Sequence, residues 1–244
     1  MLFGPRKKLR KITNFQVVCN GHVIKATDKV KYLGLSIDSL LNGESIVSSI
    51  IQKVNARLKF LYRQAGCLDR GSRMTLSSAL IQCYFDYSCS SWYSSLSKHL
   101  KQKLQVCQNK MVRFILNLGP RHSINCDILD CLNMLNVEAR VKQLRLNHVF
   151  NIVQGLAPNY LQENFTLVSS TSRYATRSSS NRNFIVPQIS TYEAGTFYYS
   201  AIKDWNGLPV NIKEITNKDT FKDALKQFLK QQSRECEEDS FVYF

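Results

Sequence analysis

Apolar residues recur at steps of three and four positions through long segments of this chain, and that spacing is the strongest constraint on its fold. The pattern covers residues 44–64, 73–87, 98–118 and 137–154. Because an α-helix turns once in about 3.6 residues, each segment presents one apolar face to a core and one polar face away from it. The sequence therefore predicts a mainly α-helical protein whose helices pack like a bundle.

A short β-prone region lies before the first of these helices. Residues 15–19 (FQVVC) and 22–25 (HVIK) are joined by Asn20-Gly21, a pair that accepts the positive φ angles of a tight type I′ turn. A third β-prone run spans residues 30–37, and Gly34 within it indicates a bulge or a close approach of another backbone. We expect a β-hairpin followed by one strand. The predicted fold class is therefore mainly α with a small N-terminal β element (α+β).

The third and fourth helical segments have different polar faces. In residues 98–118 the polar face is basic and rich in side-chain amides. In residues 137–154 we expect one face to pack against the core, and His148 lies on the apolar stripe of that face. The spacing therefore indicates a basic, amide-rich exposed side on the third segment and one core-facing side on the fourth.

The remainder of the chain alternates between irregular and helical patterns. Residues 164–183 are rich in Ser, Thr, Asn and Arg without periodicity, which indicates a loop or linker. Helical spacing resumes over residues 196–209 and again over 219–231. Thr216 and Asp219 stand at capping-box spacing before the last helix. Acidic residues then form a polar tail.

Composition limits the compartment in which the chain can work. It has 244 residues, 44% of them hydrophobic, which is enough for one large domain or two small ones. No stretch approaches the roughly 18 consecutive apolar residues that a membrane span needs. The eight cysteines fall at irregular spacings typical of reduced thiols. We therefore expect a soluble protein of the cytoplasm or nucleus, neither secreted nor bound to a membrane.

The net charge of +15 is the clearest indication of a partner. A positive field of this size attracts polyanions, and nucleic acid is the commonest polyanion inside cells. Part of the charge lies in a short basic run near the start of the sequence. That run fits either a nuclear localisation signal or an ordinary solvated segment. Its members are Arg6, Lys7, Lys8, Arg10 and Lys11.

The sequence offers little for catalysis. Phosphoryl transfer with two metal ions needs carboxylates that converge on both ions, whereas the only adjacent acidic residues, 237–239, lie in the polar tail. Asp86 stands alone on a helical pattern. The nearest approach to a zinc site has no standard ligand spacing, and its histidine on the apolar stripe reads as a core residue. These possible ligands are His122, Cys126, Cys131 and His148. We expect no metal and no cofactor.

Seven short segments give a more specific indication because they occur together in a particular order. They are 1–5 (MLFGP), 29–38 (KVKYLGLSID), 104–116 (LQVCQNKMVRFIL), 132–140 (LNMLNVEAR), 155–161 (GLAPNYL), 205–209 (WNGLP) and 221–226 (FKDALK). In this order they resemble the part of LINE-type (non-LTR) retrotransposon reverse transcriptases that follows the catalytic hairpin. The first segment resembles the strand after the catalytic motif, and the second resembles the primer-grip segment.

The resemblance implies four regions. Residues 1–42 would be the end of the palm, with a hairpin and a primer-grip-like strand, and residues 43–163 a helical thumb-like region. Residues 164–195 would be a Ser- and Arg-rich loop or linker, and residues 196–244 a C-terminal helical region with an acidic tail. The fingers, most of the palm and the three catalytic aspartates of the family have no counterpart here. We therefore expect no polymerase activity from this chain, and association through β-edges that lack their palm partners.

The resemblance also implies which residues contact nucleic acid. It places Tyr32, Leu33 and Gly34 near a primer end, and the polar face of residues 44–64 along the minor groove of a template–primer duplex. Polar side chains at helical spacing bond phosphate and sugar oxygens, so the expected partner is RNA or an RNA–DNA duplex, bound without sequence preference. The candidate contacts on the two polar helix faces are Gln52, Asn55, Lys59, Arg63, Lys103, Lys110 and Arg113.

Two other classes of protein remain open. The first is a helical protein-interaction or scaffold module without enzymatic activity, in which the positive charge serves only solubility. Polar helix faces such as that of residues 44–64 are, in most proteins, ordinary solvated surfaces. The second is a zinc- or cysteine-dependent enzyme, which the irregular spacing of the cysteines and histidines supports least.

Overall fold

The computed structural model describes residues 1–12, 15–171, 182–188 and 195–241, without the side chains of 170, 171 and 237–241. This part of the chain is mainly helical, and two separate two-stranded antiparallel sheets lie near its start. The predicted fold class is therefore confirmed. The buried apolar residues form two clusters, one in the first half of the chain and one dominated by its last helices.

The elements follow one another in this order along the chain. The strands are β1 (Gln16–Cys19), β2 (His22–Lys25), β3 (Lys29–Tyr32) and β4 (Leu35–Asp38). The helices are α1 (Arg6–Leu9), α2 (Glu44–Arg63), α3 (Arg70–Ser77), α4 (Cys83–Asp86), α5 (Cys89–Trp92), α6 (Lys98–Leu116), α7 (Cys126–Cys131), α8 (Val137–Val153), α9 (Asn159–Gln162), α10 (Val168–Thr171), α11 (Phe197–Asn206), α12 (Val210–Lys213) and α13 (Lys218–Phe241). A π-helical turn, Ser78–Gln82, joins α3 to α4, and short 3₁₀ turns lie at Ala65–Cys67 and Tyr93–Ser95.

The first hairpin forms as the sequence predicts. Strand β1 pairs with β2 in antiparallel register, Gln16 opposite Lys25. The turn residues Asn20 and Gly21 have φ angles of 48° and 78°, which is the positive-φ pair of a type I′ turn. All eight strand residues are exposed, and no third described strand pairs with either edge. The hairpin therefore presents open backbone edges and exposed apolar side chains.

Residues 30–37 do not form the single strand that we expected. They belong to a second antiparallel hairpin, β3–β4, with Leu33 and Gly34 at its turn. The two turn residues have φ angles of 45° and 83°, and a leucine at positive φ needs outside support. Tyr87 supplies it, because its hydroxyl donates a 2.6 Å hydrogen bond to the Leu33 carbonyl oxygen. The segment compared with a primer-grip strand is thus a hairpin docked by its turn.

Residues 1–5 form no strand, although the resemblance compares them with one. The amide of Gly4 donates to the carbonyl of Ser39 at 3.2 Å, and the chain then enters α1 after Pro5. Proline has no amide hydrogen for a β-ladder and is well placed before the first turn of a helix. The local sequence therefore favours a helical start over a strand.

Helices α2 and α6 match the predicted segments closely, because each has one buried stripe and one polar stripe. The buried side of α2 includes Val47, Val54 and Leu61, and that of α6 includes Leu104 and Met111. The predicted helix over 73–87 begins three residues earlier, at Arg70. There the side chain of Asp69 caps α3, and the hydrogen bonds from Ser72 and Gly71 hold the pKa of that carboxyl below its ordinary value.

Helix α8 differs from two of our predictions. We expected one packed face, but buried residues lie around most of its circumference. Val141 joins the cluster of α2 and α6, whereas Leu146 and Phe150 join the cluster of the last helices. His148 was read as a core histidine and is instead exposed, with its ring edge-on to Phe197 at a centroid distance of 6.3 Å. Helix α8 is thus the element that the two clusters share.

Two charged pairs, one largely buried and one partly buried, join α8 to its neighbours. Arg145 Nη1 lies 2.5 Å from Asp204 Oδ2, and Arg145 Nη2 donates to Ser94 Oγ at 2.7 Å. Burial raises the pKa of Asp204 above its ordinary value, and the Arg145 charge opposes that rise. On the next face, Arg140 donates to both carboxylate oxygens of Asp86, at 3.2 and 2.8 Å. These pairs fix the rotation of α8 relative to α4 and α11.

The last helix is longer than predicted and is capped differently. Helix α13 extends to Phe241, so the acidic residues expected in a tail lie in its final turns. The Oδ1 atom of Asn217 accepts hydrogen bonds from the amides of Asp219 and Thr220 at 2.9 and 3.1 Å. Asn217 therefore takes the capping role that we assigned to the Thr216–Asp219 box.

Asp130 of α7 anchors α13 near its acidic end. Its Oδ1 lies 3.2 Å from Lys230 Nζ, and its Oδ2 accepts hydrogen bonds from Arg234. Burial of the Asp130 carboxylate acts to raise its pKa, but the hydrogen bonds and charges of Lys230 and Arg234 together hold the pKa below its ordinary value. The ion pairs therefore favour the charged carboxylate and keep α13 against α7.

The segment expected as a loop or linker, 164–195, is only partly described. It contains the short helix α10 and an antiparallel bridge between Leu167 and Phe184, so it is not wholly irregular. The side-chain amide of Asn206 bonds the backbone of buried Phe184 on both sides, at 2.8 and 2.9 Å. Residues 172–181 and 189–194 of the expected loop lie outside the described residues.

The exposed hairpin should exchange its amide hydrogens much faster than α8. Two open edges and no buried side chain leave β1–β2 without tertiary stabilisation, whereas α8 opens only when both clusters open. Hydrogen–deuterium exchange with mass spectrometry measures this directly. It should be run at two protein concentrations, since association through an open edge would protect the hairpin only at the higher one. Protection of residues 16–25 equal to that of α8 at both concentrations would contradict this view of the hairpin.

The start of α2 should depend on Gly43. This residue has a φ of 72°, and a Cβ built on it would lie 2.4 Å from the Cδ2 atom of buried Leu96. Gly43→Ala should therefore lower the free energy of unfolding by about 2–3 kcal/mol, measured by urea denaturation. Gly21→Ala is the matched control: its φ is 78°, but no atom lies within 4 Å of the added Cβ. The control should cost about 1 kcal/mol or less, and equal losses would argue against the steric explanation.

Candidate nucleic-acid interface

Helices α2 and α6 lie side by side and leave a groove between them. Its volume is about 610 Å³. The floor is apolar, with Val47 and Ile51 from α2 and Leu100, Val106 and Cys107 from α6. The groove exists because the two buried stripes meet below it, so that the flanking positions of each helix stand apart at the surface.

Four of the candidate contacts meet along this groove. Gln52 of α2 lines it opposite Lys103 and Lys110 of α6. Lys110 Nζ donates to Asn55 Oδ1 at 3.3 Å and so joins the two helices across the groove. The structure therefore brings amide and ammonium groups from two distant segments of the sequence onto one surface.

Lys59 and Arg63 extend this surface along α2. They follow Asn55 at steps of four residues, so all three lie on one stripe of the helix, which turns about 100° per residue. Both are exposed, and within the described residues neither is paired with a carboxylate. We call Gln52, Asn55, Lys59, Arg63, Lys103 and Lys110 the cationic surface.

Arg113 is placed differently from the other cations of α6. Its Nε atom donates a 2.8 Å hydrogen bond to the carbonyl oxygen of His122, in the loop after the helix. Its side chain is half-buried and also faces Tyr62, whose pKa is raised by burial and lowered in part by the Arg113 charge. Arg113 therefore holds a loop as well as adding positive charge, and it is less free than Lys103 or Lys110.

The predicted contacts in the second hairpin lie on the other flank of α2. Gly34 lines a smaller groove of about 320 Å³ together with Ile46, Lys53 and Tyr84. By helical spacing, those α2 positions lie about a third of a turn around the helix from Val47 and Ile51. Tyr32 and Leu33 project from the hairpin turn and are exposed. The structure thus does not bring these three residues together with Lys103 and Lys110.

Sequence reasoning missed two cations beside this smaller groove. Lys53 Nζ lies 5.6 Å from the ring centroid of Tyr84, within cation–π range. Arg57 Nε donates to the Tyr84 hydroxyl at 3.4 Å, and this hydrogen bond raises the pKa of Arg57. Both residues stand outside the single polar stripe that the periodicity identified. Their four-residue spacing was a signal, but their aromatic partner lies in a separate segment of the chain.

In the sequence, the positive residues of these two helices are accompanied by almost no acidic residues. Residues 45–68 and 87–126 contain α2 after its first residue and all of α6, and they include ten Lys and Arg but no Asp or Glu. Glu44 at the start of α2 is the single acidic residue that lines the larger groove. The positive charge therefore extends along nearly the whole length of both helices.

Within the described residues, no group of three or more His, Cys, Asp or Glu side chains is placed to hold a metal ion. Of the residues considered for zinc, Cys126 is buried, whereas His122, Cys131 and His148 are exposed. Asp86 is paired with Arg140. None of the helices in the described part of the chain is long and apolar enough to cross a membrane.

Comparisons with protein-family models, with curated proteins and with solved structures give no match to this chain.

Proposed function

We propose that this chain binds RNA or an RNA–DNA duplex through the cationic surface, without sequence preference and without catalysing polymerisation. One observation carries the proposal: Lys103, Lys110, Gln52 and Asn55 converge from two helices that have almost no acidic residues. The resemblance to the region after the catalytic hairpin of LINE-type reverse transcriptases supports the same reading, since a duplex would then lie along α2.

The chemistry of the surface suits a nucleic-acid backbone. Lysine and arginine neutralise phosphates, and each neutralised phosphate releases condensed counterions. The amides of Gln52 and Asn55 donate to phosphate, sugar and 2′-hydroxyl oxygens. A flat stripe on a helix does not enter a groove deeply enough to read base edges, so the surface positions a duplex without selecting its sequence.

The absence of catalysis in this proposal rests on the acidic residues of the sequence. Two-metal phosphoryl transfer requires converging carboxylates on a rigid scaffold. Asp86 is engaged by Arg140, and Asp130 by Lys230 and Arg234. Those carboxylates hold helices together, and they lie on elements other than the cationic surface.

Removal of two exposed cations should weaken duplex binding and its salt dependence. For Lys59→Ala with Arg63→Ala, the slope of log affinity against log salt should fall by about 2, because each cation accounts for about one phosphate contact. Binding should weaken alike for duplexes of unrelated sequence. Fluorescence anisotropy with a labelled RNA–DNA hybrid, titrated at several salt concentrations, measures both quantities.

The matched control is Lys218→Ala with Lys222→Ala on α13, which removes the same charge from one exposed and one partly exposed position, the latter paired with Asp219, and neither residue lines the α2–α6 groove. The control should keep the wild-type salt slope. An equal loss in both double variants would mean that net charge alone drives binding. If the wild-type protein did not bind the hybrid at low salt, the proposal would be refuted.

The isolated chain should not extend a primer. Purified protein is incubated with a primed RNA template, deoxynucleotides and either Mg²⁺ or Mn²⁺, and the products are separated on a sequencing gel. We expect no extension with either ion, since within the described residues no group of three or more His, Cys, Asp or Glu side chains is placed to hold a metal ion. Extension that copurifies with the protein, and that is absent from a mock purification from cells without the gene, would refute a non-catalytic role.

The alternative of a protein-interaction module draws on a different observation. Val17, Val18, Val23 and Ile24 of the first hairpin are each about half exposed or more. Exposed apolar side chains on an open-edged hairpin are typical of a surface that pairs with another polypeptide. This function would use the first hairpin, whereas nucleic-acid binding would use α2 and α6, so the two are separable by mutation.

A further inference from the structure

The groove between α2 and α6 has an apolar floor that contact with phosphates alone would not use. Its floor is apolar, and Val106 is 48% exposed although it lies in the middle of a helix that packs well elsewhere. Contact with phosphates would use Lys103 and Lys110 at the rim and would leave the floor in water. The full groove is therefore matched by a ligand that carries negative charges beside apolar side chains.

This chain itself contains such a ligand. Residues 235–244 read ECEEDSFVYF, with four carboxylates, three aromatic residues and no Lys or Arg. The segment follows directly on Arg234, the last residue of α13 that pairs with Asp130. Glu235 and Cys236 are exposed, and Glu235 accepts a hydrogen bond only from Gln231 of its own helix within the described residues. The segment complements the groove in charge and in apolar character.

We propose that residues 235–244 of one molecule occupy the α2–α6 groove of a second molecule and thereby compete with nucleic acid. The competition rests on the proposed function, whereas the docking itself rests on the groove and the segment alone. The acidic side chains face Lys103 and Lys110, and the aromatic side chains cover the floor at Val106.

The geometry of α13 favours a second molecule over the same one. Lys230 and Arg234 bind Asp130, so α13 is fixed to α7 up to the start of the segment. The helix then continues to Phe241, seven residues or about 10 Å beyond the last ion pair. Among the described side chains of α13, residues 218–236, none lines the groove of its own molecule. Because the groove and the segment are different surfaces, the contact is head-to-tail and produces chains of molecules rather than closed dimers.

The docking is tested without nucleic acid by a fluorescein-labelled peptide of sequence ECEEDSFVYF. The protein partner is the full chain with Glu235→Gln, Glu237→Gln, Glu238→Gln and Asp239→Asn, so that its own segment does not compete. Anisotropy should show salt-sensitive binding, and adding Lys103→Gln with Lys110→Gln should weaken it about tenfold. Lys7→Gln with Lys8→Gln is the control of equal charge change and should leave binding within about twofold.

A second peptide tests the apolar floor. Replacing its two phenylalanines and its tyrosine by serine keeps every carboxylate, and should weaken binding about tenfold or more because the aromatic area stays in water. Equal binding of the two peptides would mean that the contact is only electrostatic and would overturn the assignment to the groove. Lack of binding at low salt, or no effect of Lys103→Gln with Lys110→Gln, would overturn the docking itself.

Sedimentation velocity tests whether residues 235–244 dock within their own molecule or on a second molecule. The wild-type chain at low salt should form species larger than a dimer as its concentration rises, and the carboxamide variant should stay monomeric. If the peptide binds the carboxamide variant but the wild type stays monomeric and binds no peptide, the segment folds back within one molecule, and the head-to-tail assignment is wrong. If the protein binds the duplex but not the peptide, the docking of residues 235–244 is refuted and the proposed function stands. If it binds the peptide but not the duplex, the proposed function is refuted and the docking stands.

Discussion

The burial of α8 between two apolar clusters is the constraint on which the rest of the molecule depends. Its N-terminus also fixes α6, because Gln105 Oε1 accepts a 3.0 Å hydrogen bond from the Val137 amide and Gln108 Nε2 donates to the Leu135 carbonyl at 2.9 Å. These bonds set the rotation of α6 about its axis. Lys103 and Lys110 face away from α8 as a result, and the groove with α2 forms on that side.

The same helix also contributes a largely buried ion pair. Arg145 and Asp204 are both largely removed from water, and such a pair gains little over apolar residues of the same volume. Loss of one partner is costly, however, since the other would stay buried and uncompensated. The pair therefore acts chiefly on the orientation of α8 against α11. It links the second cluster to the helix that positions the cationic surface.

The sequence predicted the bounds of α2, α6 and α8 within a few residues, but it did not predict that α8 is buried on most of its sides, for one physical reason. Periodicity reports burial only where polar residues mark the exposed side. In α8 the polar residues Gln143 and Arg145 are themselves buried, so the pattern reads as one-sided when the helix is not. The candidate contacts lie in two places for a related reason. Gln52 and Lys103 belong to helices with a clear exposed face and line one groove, whereas Gly34 lies on the other flank of α2, because Tyr87 docks the hairpin turn there.

The groove between α2 and α6 offers its two proposed ligands different kinds of stabilisation. In the proposed function, a duplex interacts with the rim mainly through phosphates. Its affinity falls steeply with salt because the entropy gained by releasing condensed counterions is smaller at a higher salt concentration. In the proposed docking, the acidic–aromatic segment also covers Val106 and the rest of the apolar floor, a contribution that salt does not screen. If both proposals hold, rising ionic strength shifts the groove from nucleic acid toward the polypeptide. The balance between the two is set by how much of the floor each ligand removes from water.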